Sequence, residues 1–316
     1  MFTSRLPLWF ACLLLLSQFS SCTDHLNPNP PPARLRVKTL TQSVLDAPGI
    51  PRSSATTRIS ALAYDAQNRL SMITTYQTPD SSAATVEHTI YQYDAQNRIS
   101  QLRRDVTLRP LNVFDPNQYE VYTFNYTGTG QVAAINYSNN GPNGGGWQVQ
   151  PTYNADNRVV SSYKTFIVGG FTYKENSAYI YTANNLTFAT STSTTDVKQT
   201  ILPGKLDATY TYDTKINPFY GLYVIPAPGR VAGIPTGPVF MYYTYYGGIA
   251  NLFNLSQNNV LSSSFSYGGP LPYQESTYSY VYNSDNYPTA RYTTTVNVFT
   301  QDVLYKETLL YEYETY

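Results

Sequence analysis

Aromatic residues alternate with polar residues in short stretches along most of the chain. Tyr91 and Tyr93 are one example, and Tyr122, Phe124 and Tyr126 are another. The same spacing recurs at residues 179–181, 210–212, 278–282 and 311–313. A spacing of two places such side chains on one face of a β-strand. Each stretch therefore predicts a strand with one apolar face, and the pattern predicts no long amphipathic helix.

A turn motif follows these stretches. Tyr-Asp-Ala-Gln-Asn-Arg-Leu at 64–70 returns at 93–99 with Ile at its end, and weaker copies continue toward the C-terminus. Asp suits the first position of a type I turn because its carboxylate accepts backbone N–H groups two residues on. The residue three places later must be left-handed to form a hairpin loop with a bulge, and only Gly, Asn or Asp does so cheaply. We expect positive φ at six positions: Asn68, Asn97, Gly130, Asn157, Asn185 and Asn286.

The hairpins repeat with a period near thirty. Tyr64, the tyrosine that precedes the first turn, has counterparts up to Tyr212 that lie 27 to 33 residues apart. Such a period indicates units that bury their apolar faces against their neighbours. We therefore predict an all-β fold in which repeated antiparallel β-hairpins form one elongated, twisted sheet or open barrel-like superhelix. Residues 34–316 would form a single domain, with an irregular Pro- and Gly-rich insert at 217–238 and strands resuming at 239–246 and from Glu275 onward.

The motif Tyr-Asp-x-x-Asn-Arg-Leu resembles the YD repeat of RHS-type proteins, usually written Y-D-x-x-G-R-L. Residues 212–219, 255–260 and 280–288, with a closing Tyr-Glu-Tyr-Glu at 311–314, are similar to uncharacterised lipoproteins of the Bacteroidota. The resemblance covers residues 58–316. It implies a β-hairpin repeat lipoprotein of the outer membrane, and it implies no activity.

The N-terminus has the pattern of a secretion signal. A short basic region ending at Arg5 precedes an apolar run over 6–19, and Phe19-Ser20-Ser21-Cys22 resembles a lipobox. We expect a signal peptide at 1–21, a diacylated Cys22 and a Pro-rich tether over 22–33. Ordinary cleavage that leaves a free Cys22 thiol is the alternative. The expected location is the cell envelope, as an outer-membrane lipoprotein held by its lipid anchor, with the periplasmic or surface face left open.

Charge and composition exclude some partners and weigh against others. The chain has 20 basic and 20 acidic residues without a charge run, which excludes the basic stripe that nucleic acid requires. His25 and His88 are the only histidines, and no Cys/His cluster predicts a metal or cofactor site. A transmembrane barrel fits the alternation, but Glu312 and Glu314 share a strand face with the final Tyr316, which counts against it.

Function follows less directly from the residues. Trp147 is the only Trp after the signal and follows the Asn- and Gly-rich stretch 139–146, so it either contacts a ligand or anchors the next strand. The leading prediction is a non-enzymatic binding or surface-structure protein, with polysaccharide or a surface protein as partner. The alternatives are a glycan-binding accessory protein and an enzyme of unknown class. A carboxylate pair for glycoside hydrolysis stays open because it depends on spatial separation.

Overall fold

The computed structural model describes residues 34–46, 57–78, 86–107, 118–140, 146–168, 171–195, 204–221, 245–246, 249–250, 253–267, 269 and 271–316. The predicted signal peptide, Cys22 and the tether lie outside these residues. So does most of the predicted insert at 217–238, of which 217–221 are described as a turn.

β-Strands make up nearly all of the described chain, as the alternating pattern predicted. In chain order they are β1 Leu35–Asp46, β2 Thr57–Tyr64, β3 Leu70–Thr78, β4 Val86–Tyr93, β5 Ile99–Thr107, β6 Gln118–Tyr126, β7 Val132–Asn139, β8 Trp147–Tyr153, β9 Val159–Val168, β10 Phe171–Thr182, β11 Asn185–Thr195, β12 Gly204–Ile216, β13 Tyr245–Tyr246, β14 Ile249–Ala250, β15 Asn258–Ser266, β16 Gln274–Tyr282, β17 Pro288–Asn297 and β18 Val303–Thr315.

Sixteen of these strands form a closed antiparallel barrel. Each barrel strand pairs with its neighbours in sequence, β12 pairs with β15, and β18 returns to β1. The short strands β13 and β14 form a separate two-stranded sheet. The prediction of an open or elongated sheet was therefore wrong. Closure pairs the two strands that an open sheet would leave as exposed edges. Inside the barrel, the side-chain amide of Gln42 on β1 donates to Glu307 Oε2 on β18 at 2.8 Å.

The inward face of the barrel is apolar over much of its length and closely packed. On β2 the side chain of Leu62 is buried whereas Ala61 and Ala63 on either side are exposed. Tyr122, Ile135 and Val149 are each 0% exposed. One continuous cluster joins the buried inward residues of fourteen elements from β1 to β18, and the aromatics that precede the turns pack against it. The predicted apolar strand face is thus the inside of the barrel.

The outward face is rich in hydroxyl, amide and charged side chains. On β12 the outward positions are Lys205, Asp207, Thr209 and Thr211, and on β8 they are Gln148, Gln150 and Thr152. Thr209 and Thr211 lie 2.6 Å from Ser264 and Ser262 on β15 through their hydroxyl oxygens. Exposed apolar side chains such as Ile180 and Val281 are interspersed among these polar residues.

One region between β12 and β16 differs from the sequence prediction. The alternation pattern did not predict β15, because Ser residues occupy most of its outward positions and its inward positions are not aromatic until Phe265. A short 3-10 helix, Phe253–Leu255, precedes it.

Within the described residues, no helix has the length and apolar character needed to cross a membrane.

By its internal contacts the chain divides into two units. One consists of Met1–Arg36 with Glu314–Tyr316, and in its described part Arg36 Nε lies 2.7 Å from Glu314 Oε1 and its guanidinium lies 5.1 Å from the Tyr316 ring centroid. The other unit is Val37–Tyr313, which contains the apolar core.

Candidate functional site

The predicted turns adopt the geometry that their residues favour. Asp65 Oδ1 accepts the backbone N–H groups of Gln67 and Arg69, each at 2.9 Å, and Asp65 Oδ2 accepts Arg69 Nε at 2.7 Å. Asp94 makes the same three contacts with Gln96 and Arg98. Burial opposes ionisation of Asp65, but its hydrogen bonds with Arg69 and Gln67 hold its pKa below the ordinary value. The Arg of the motif therefore closes the turn together with the Asp.

The left-handed conformation is observed at five of the six predicted positions. These are Asn68 (φ 62°), Asn97 (φ 62°), Gly130 (φ 87°), Asn157 (φ 61°) and Asn286 (φ 66°). The sixth prediction, Asn185, was wrong. Thr182 pairs with Asn185, so β10 and β11 are joined by only two residues, and the positive φ falls on Ala183 (φ 51°). Asn185 instead begins β11, where its Oδ1 accepts the N–H of Asn258.

Five tyrosines that directly precede a turn donate their hydroxyl to a backbone carbonyl of a neighbouring strand. Tyr93 Oη donates to the carbonyl of Leu70 at 2.8 Å, and Leu70 is the residue that begins the returning strand of the preceding hairpin. These bonds join Tyr64 to Val37, Tyr93 to Leu70, Tyr126 to Ile99, Tyr153 to Val132 and Tyr212 to Leu186. Tyr280 and Tyr313, which do not directly precede a turn, bond in the same way to the carbonyls of Val260 and Pro288. Burial raises the pKa of Tyr126 and Tyr153 to about 12, so both remain donors at neutral pH.

Neighbouring turns are also linked to one another. The Arg69 guanidinium lies 4.1 Å from the Tyr93 ring centroid and donates to Asn97 Oδ1 at 2.7 Å. Further turn-to-turn bonds run from Gln131 to Asn157, from Arg158 to Asn184, from Asn184 to Gln257 and from Lys215 to Asn286. We call the turns at 65–69, 94–98, 127–131, 154–158, 183–184 and 283–287 the turn rim. The rim is a hydrogen-bonded end of the barrel, and the connection from β12 to β15 lies at the same end, because Ile216 pairs with Asn258. We call the opposite end, where the connections such as that from β17 to β18 lie, the loop end.

Charged residues line the inside of the barrel nearer the loop end. Glu87 accepts from Arg58 at 2.5 Å and from Arg104 at 2.9 Å, and Arg104 also lies 3.2 Å from Glu120. Burial opposes the charge of Arg104, yet Glu87 and Glu120 together hold its pKa above the ordinary value. Glu120 then accepts the hydroxyl groups of Tyr122 and Tyr137.

The same inner polar chain continues on other strands. Arg291 donates to Glu307 at 2.5 Å, Glu307 accepts from Gln42, and Gln42 is the cross-strand neighbour of Arg58. We call the eight charged residues of this chain the inner belt: Arg58, Glu87, Arg104, Glu120, Lys164, Glu175, Arg291 and Glu307. The belt has four positive and four negative groups, so its formal charge is zero. The inner belt fixes the register of adjacent strands, because a shift of one strand by one residue would turn its charged side chain to the outward face.

One pair of the inner belt is almost completely enclosed. Lys164 on β9 and Glu175 on β10 are direct cross-strand neighbours and are 3% and 1% exposed. Burial lowers the pKa of Lys164 to about 8 and raises the pKa of Glu175 to about 7, and the attraction between the two groups opposes both shifts. Ser191 donates to Glu175 Oε1 at 2.6 Å, whereas Glu175 Oε2 has no hydrogen-bond partner in the described structure.

Trp147 lies inside the barrel beside this pair. Its ring stacks on Tyr137 with centroids 4.9 Å apart, and Lys164 Nζ lies 5.0 Å from its centroid. Because β7 and β9 are the neighbours of β8, the ring is flanked from both sides. Of the two roles left open by the sequence, these contacts favour an anchor at the start of β8.

Other residues weighed from the sequence have ordinary structural roles. His88 is half-buried on β4, with Nδ1 3.4 Å from Thr74 Oγ1. No group of three or more His, Cys, Asp or Glu residues able to hold a metal occurs in the described part of the chain.

Sequence reasoning missed the inner belt, although a signal for part of it was present. Glu120 lies two residues before Tyr122, so the period of two places it on the same inward face. Glu87 precedes Tyr91 by four residues and follows the same rule. The pairing of each acid with a base on a neighbouring strand could not be read from this period, because it depends on strand register.

Comparison with known proteins extends the description of the fold. The chain is similar to a porin-like protein from Bacteroides uniformis ATCC 8492, with a TM-score of 0.50 and 12% identity over 88% of this chain and 96% of that one. A porin-like protein from Bacteroides vulgatus ATCC 8482 matches with a TM-score of 0.37 and 13% identity over 88% of this chain and 99% of that one. No family model and no curated protein matches the chain. At 12% identity, the first likeness shows the fold alone.

Proposed function

We propose that this chain is a lipoprotein of the cell envelope whose closed barrel has a non-enzymatic binding or surface-structure role. In this proposal Cys22 carries the acyl chains, and residues 22–33 hold the barrel off the lipid surface. The YD-like turns would serve as the repeat that builds the barrel. The likeness in fold to a porin-like protein favours an envelope role for this chain.

The distribution of polar and apolar residues supports attachment by an anchor over insertion of the barrel. A membrane-spanning barrel has an apolar outward band and a polar interior. Here the core cluster faces inward, and the outward face of β12 reads Lys205, Asp207, Thr209, Thr211. Outward Arg103 and Asp105 form a further ion pair at 2.8 Å. Placing such strands in hydrocarbon would bury charges at about 2–4 kcal/mol for each basic residue at the midplane.

The packing inside the barrel supports a role other than passage of solutes. Barrels of sixteen strands in porins enclose an aqueous channel. In this barrel the inward side chains of Tyr122, Ile135 and Val149 are 0% exposed, so water does not reach the wall that they form. The single observation that carries the proposal is this combination of a packed apolar interior and a polar exterior.

The remaining two roles are less well supported. A catalytic carboxylate needs access to substrate, and Glu175, which has a raised pKa, is 1% exposed. Glu87 and Glu120 both form ion pairs with Arg104 inside the barrel, so their carboxylate oxygens already contact protein groups. A glycan site at Trp147 is disfavoured by the contacts that Tyr137 and Lys164 make with its ring. A glycan site elsewhere on the surface is compatible with the proposed binding role.

Metabolic labelling with an alkyne-bearing fatty acid tests the proposal on the full chain in its host. We expect the wild-type protein to take up label and to sediment with membranes. The Cys22→Ala variant should lose the label and move to the periplasmic or extracellular fraction, because no other part of the chain would hold it to lipid. Trp147→Phe, which retains an aromatic anchor, is the control and should behave as wild type.

Two results would contradict the proposal. If Cys22→Ala has lost its signal peptide, as its mass shows, yet stays in the membrane fraction and needs detergent for extraction, the barrel itself is inserted. If the wild-type protein takes up no label, the acyl anchor does not exist. Conductance across a planar bilayer provides a separate check, since a packed barrel should produce no channel steps.

A further inference from the structure

Five hairpins of the turn rim share one register where their strands meet the turn. In each, the tyrosine before the turn pairs with the residue directly after the turn, and a bulge lies just before that tyrosine. Five turn residues separate the members of each pair. The pairs are Tyr64 with Leu70, Tyr93 with Ile99, Tyr126 with Val132, Tyr153 with Val159 and Tyr282 with Pro288.

Strands β12 and β15 meet in the same register, although a long segment of chain separates them. Tyr212 pairs with Val260, and the ladder has a bulge between Thr211 and Tyr212, which is its position in the other hairpins. The Tyr212 hydroxyl donates to the carbonyl of Leu186, the bond that other tyrosines before turns make. The Val260 carbonyl accepts the hydroxyl of Tyr280, as the first residue after other turns accepts a tyrosine. By register and by hydrogen bonding, Tyr212 and Val260 therefore have the positions that flank a turn.

Asp213 binds the ends of this hairpin as Asp65 binds those of its own turn. Its Oδ1 accepts the N–H of Lys215, two residues on, at 2.9 Å and the N–H of Asn259 at 3.1 Å. Asp65 Oδ1 accepts the N–H groups two and four residues on in the same way. Asn259 thus has the position that Arg69 has in the first turn, and its side-chain amide lies 3.4 Å from Asp213 Oδ2.

The segment between the two ends of this turn leaves the barrel and returns to it at one place. Ile216 pairs with Asn258, and the N–H of Asn217 donates to the carbonyl of Gln257 at 3.1 Å. The side-chain amide of Asn217 donates to the carbonyl of Ser256 at 2.8 Å. Because its two ends are adjacent, they can be joined directly without a change in the strands that they leave.

We infer that residues 216–257 are an insertion in a Tyr-Asp turn, and that β12 and β15 are the two strands of one repeat hairpin. Without the insertion the sequence reads Tyr212-Asp213-Thr214-Lys215-Asn258-Asn259-Val260. This is the repeat motif Tyr-Asp-x-x-Asn, with Asn258 at the left-handed position that Asn68 has in the first turn. The barrel wall is complete without the insertion, and this inference does not depend on the proposed lipid anchor.

The described ends of the insertion pack against the barrel. Phe219 is 6% exposed, and its ring centroid lies 6.1 Å from that of Tyr311. The Ser256 hydroxyl accepts the N–H of Leu186 at 3.0 Å and donates to the Tyr212 hydroxyl at 2.8 Å. A chain without the insertion loses these contacts, so we expect it to unfold at a lower urea concentration than wild type but still in one cooperative transition.

Deletion of residues 216–257 from the full-length chain tests the inference. The control deletion, 216–258, is one residue longer and also removes the Asn that would be left-handed in the restored turn. Urea unfolding is followed by the fluorescence of Trp147, which packs against the apolar core. We expect the shorter deletion to keep the wild-type emission maximum and to unfold at a higher urea midpoint than the control. Absence of a cooperative transition in the shorter deletion, or a midpoint no higher than that of the control, would overturn the inference.

Substitutions of Asn258 separate a left-handed turn residue from a strand residue. In the full-length chain Asn258 belongs to β15, so Asn258→Ala should have a higher urea midpoint than Asn258→Gly, because Gly loses more conformational freedom on folding. In the 216–257 deletion the order should reverse, because Gly adopts the left-handed conformation at less cost than Ala. Both substitutions remove the same side-chain amide, so their order reports the backbone conformation. The same order in both chains would contradict the restored turn.

Discussion

The Glu87 carboxylate is the most informative single position for testing which face of the barrel is inside. Glu87 accepts hydrogen bonds from Arg58 and Arg104 and its side chain is 11% exposed. In Glu87→Gln the shape is retained, but two guanidinium groups lose their shared counter-charge. Removing one partner of a buried ion pair costs roughly 3–5 kcal/mol. Because the Arg58 side chain is 37% exposed and Arg104 still pairs with Glu120, we reduce the expected loss in the free energy of unfolding to about 2–4 kcal/mol.

Asp105→Asn is the matched control. Asp105 and Arg103 also form an ion pair between a carboxylate and a guanidinium, on a strand of the same barrel, but their side chains are 32% and 43% exposed on the outward face. Exposed pairs of this kind contribute roughly 0–1 kcal/mol. Both substitutions replace a carboxylate that pairs with guanidinium by its amide, and they differ in the face of the barrel and in the number of Arg partners, two for Glu87 and one for Asp105.

Equilibrium unfolding in urea measures both variants, with the fluorescence of Trp147 as the signal inside the barrel. The free energy of unfolding should fall clearly for Glu87→Gln and by less than about 1 kcal/mol for Asp105→Asn. Equal losses would refute the argument that the inner belt is shielded from water. A larger loss for Asp105→Asn would mean that the two faces have been assigned the wrong way round.

Three further predictions concern the turns, the tyrosine bonds and the enclosed pair. Asn68→Ala should lower the free energy of unfolding by about 1 kcal/mol, because Ala is strained at φ 62°, whereas Asn68→Gly should be close to neutral in the same urea titration. Tyr93→Phe should cost about 1 kcal/mol, because the carbonyl that accepts the Tyr93 hydroxyl loses its donor, and a urea midpoint equal to that of wild type would contradict this. Because the pKa of Glu175 is raised from 4.5 to about 7, the free energy of unfolding falls as pH rises from about 4.5 to 7. Because the pKa of Lys164 is lowered from 10.5 to about 8, the free energy of unfolding rises again from about pH 8 to 10.5. Melting temperatures across this range should therefore show a minimum between pH 7 and 8. The minimum should disappear in the Lys164→Met/Glu175→Leu double variant, and a minimum that persists in this variant would mean that other groups cause the pH dependence.

Local features of the fold were accessible from the sequence because they depend on neighbouring residues. The Asp65 carboxylate reaches N–H groups two and four residues on, and the Asn68 backbone takes a conformation that few other residues tolerate. The alternation of Tyr91 and Tyr93 identified the buried face for the same reason, since the period of two is a property of the strand itself. Asn185 shows where this reasoning failed, because pairing of Thr182 with Asn185 shortened the turn and moved the left-handed residue to Ala183.

Features that join distant parts of the chain were not accessible in this way. Nothing near Gln42 indicates that its amide will bond to Glu307, 265 residues later, and that contact exists because β18 returns to β1. The inner belt has the same origin, since the acid and base of each pair lie on different strands. The sequence by itself thus determined the strands, their buried faces and most of their turns, through interactions that span a few residues. Only the tertiary structure decided that the sheet closes and that its charges neutralise one another inside, because both depend on which strands become neighbours and in what register.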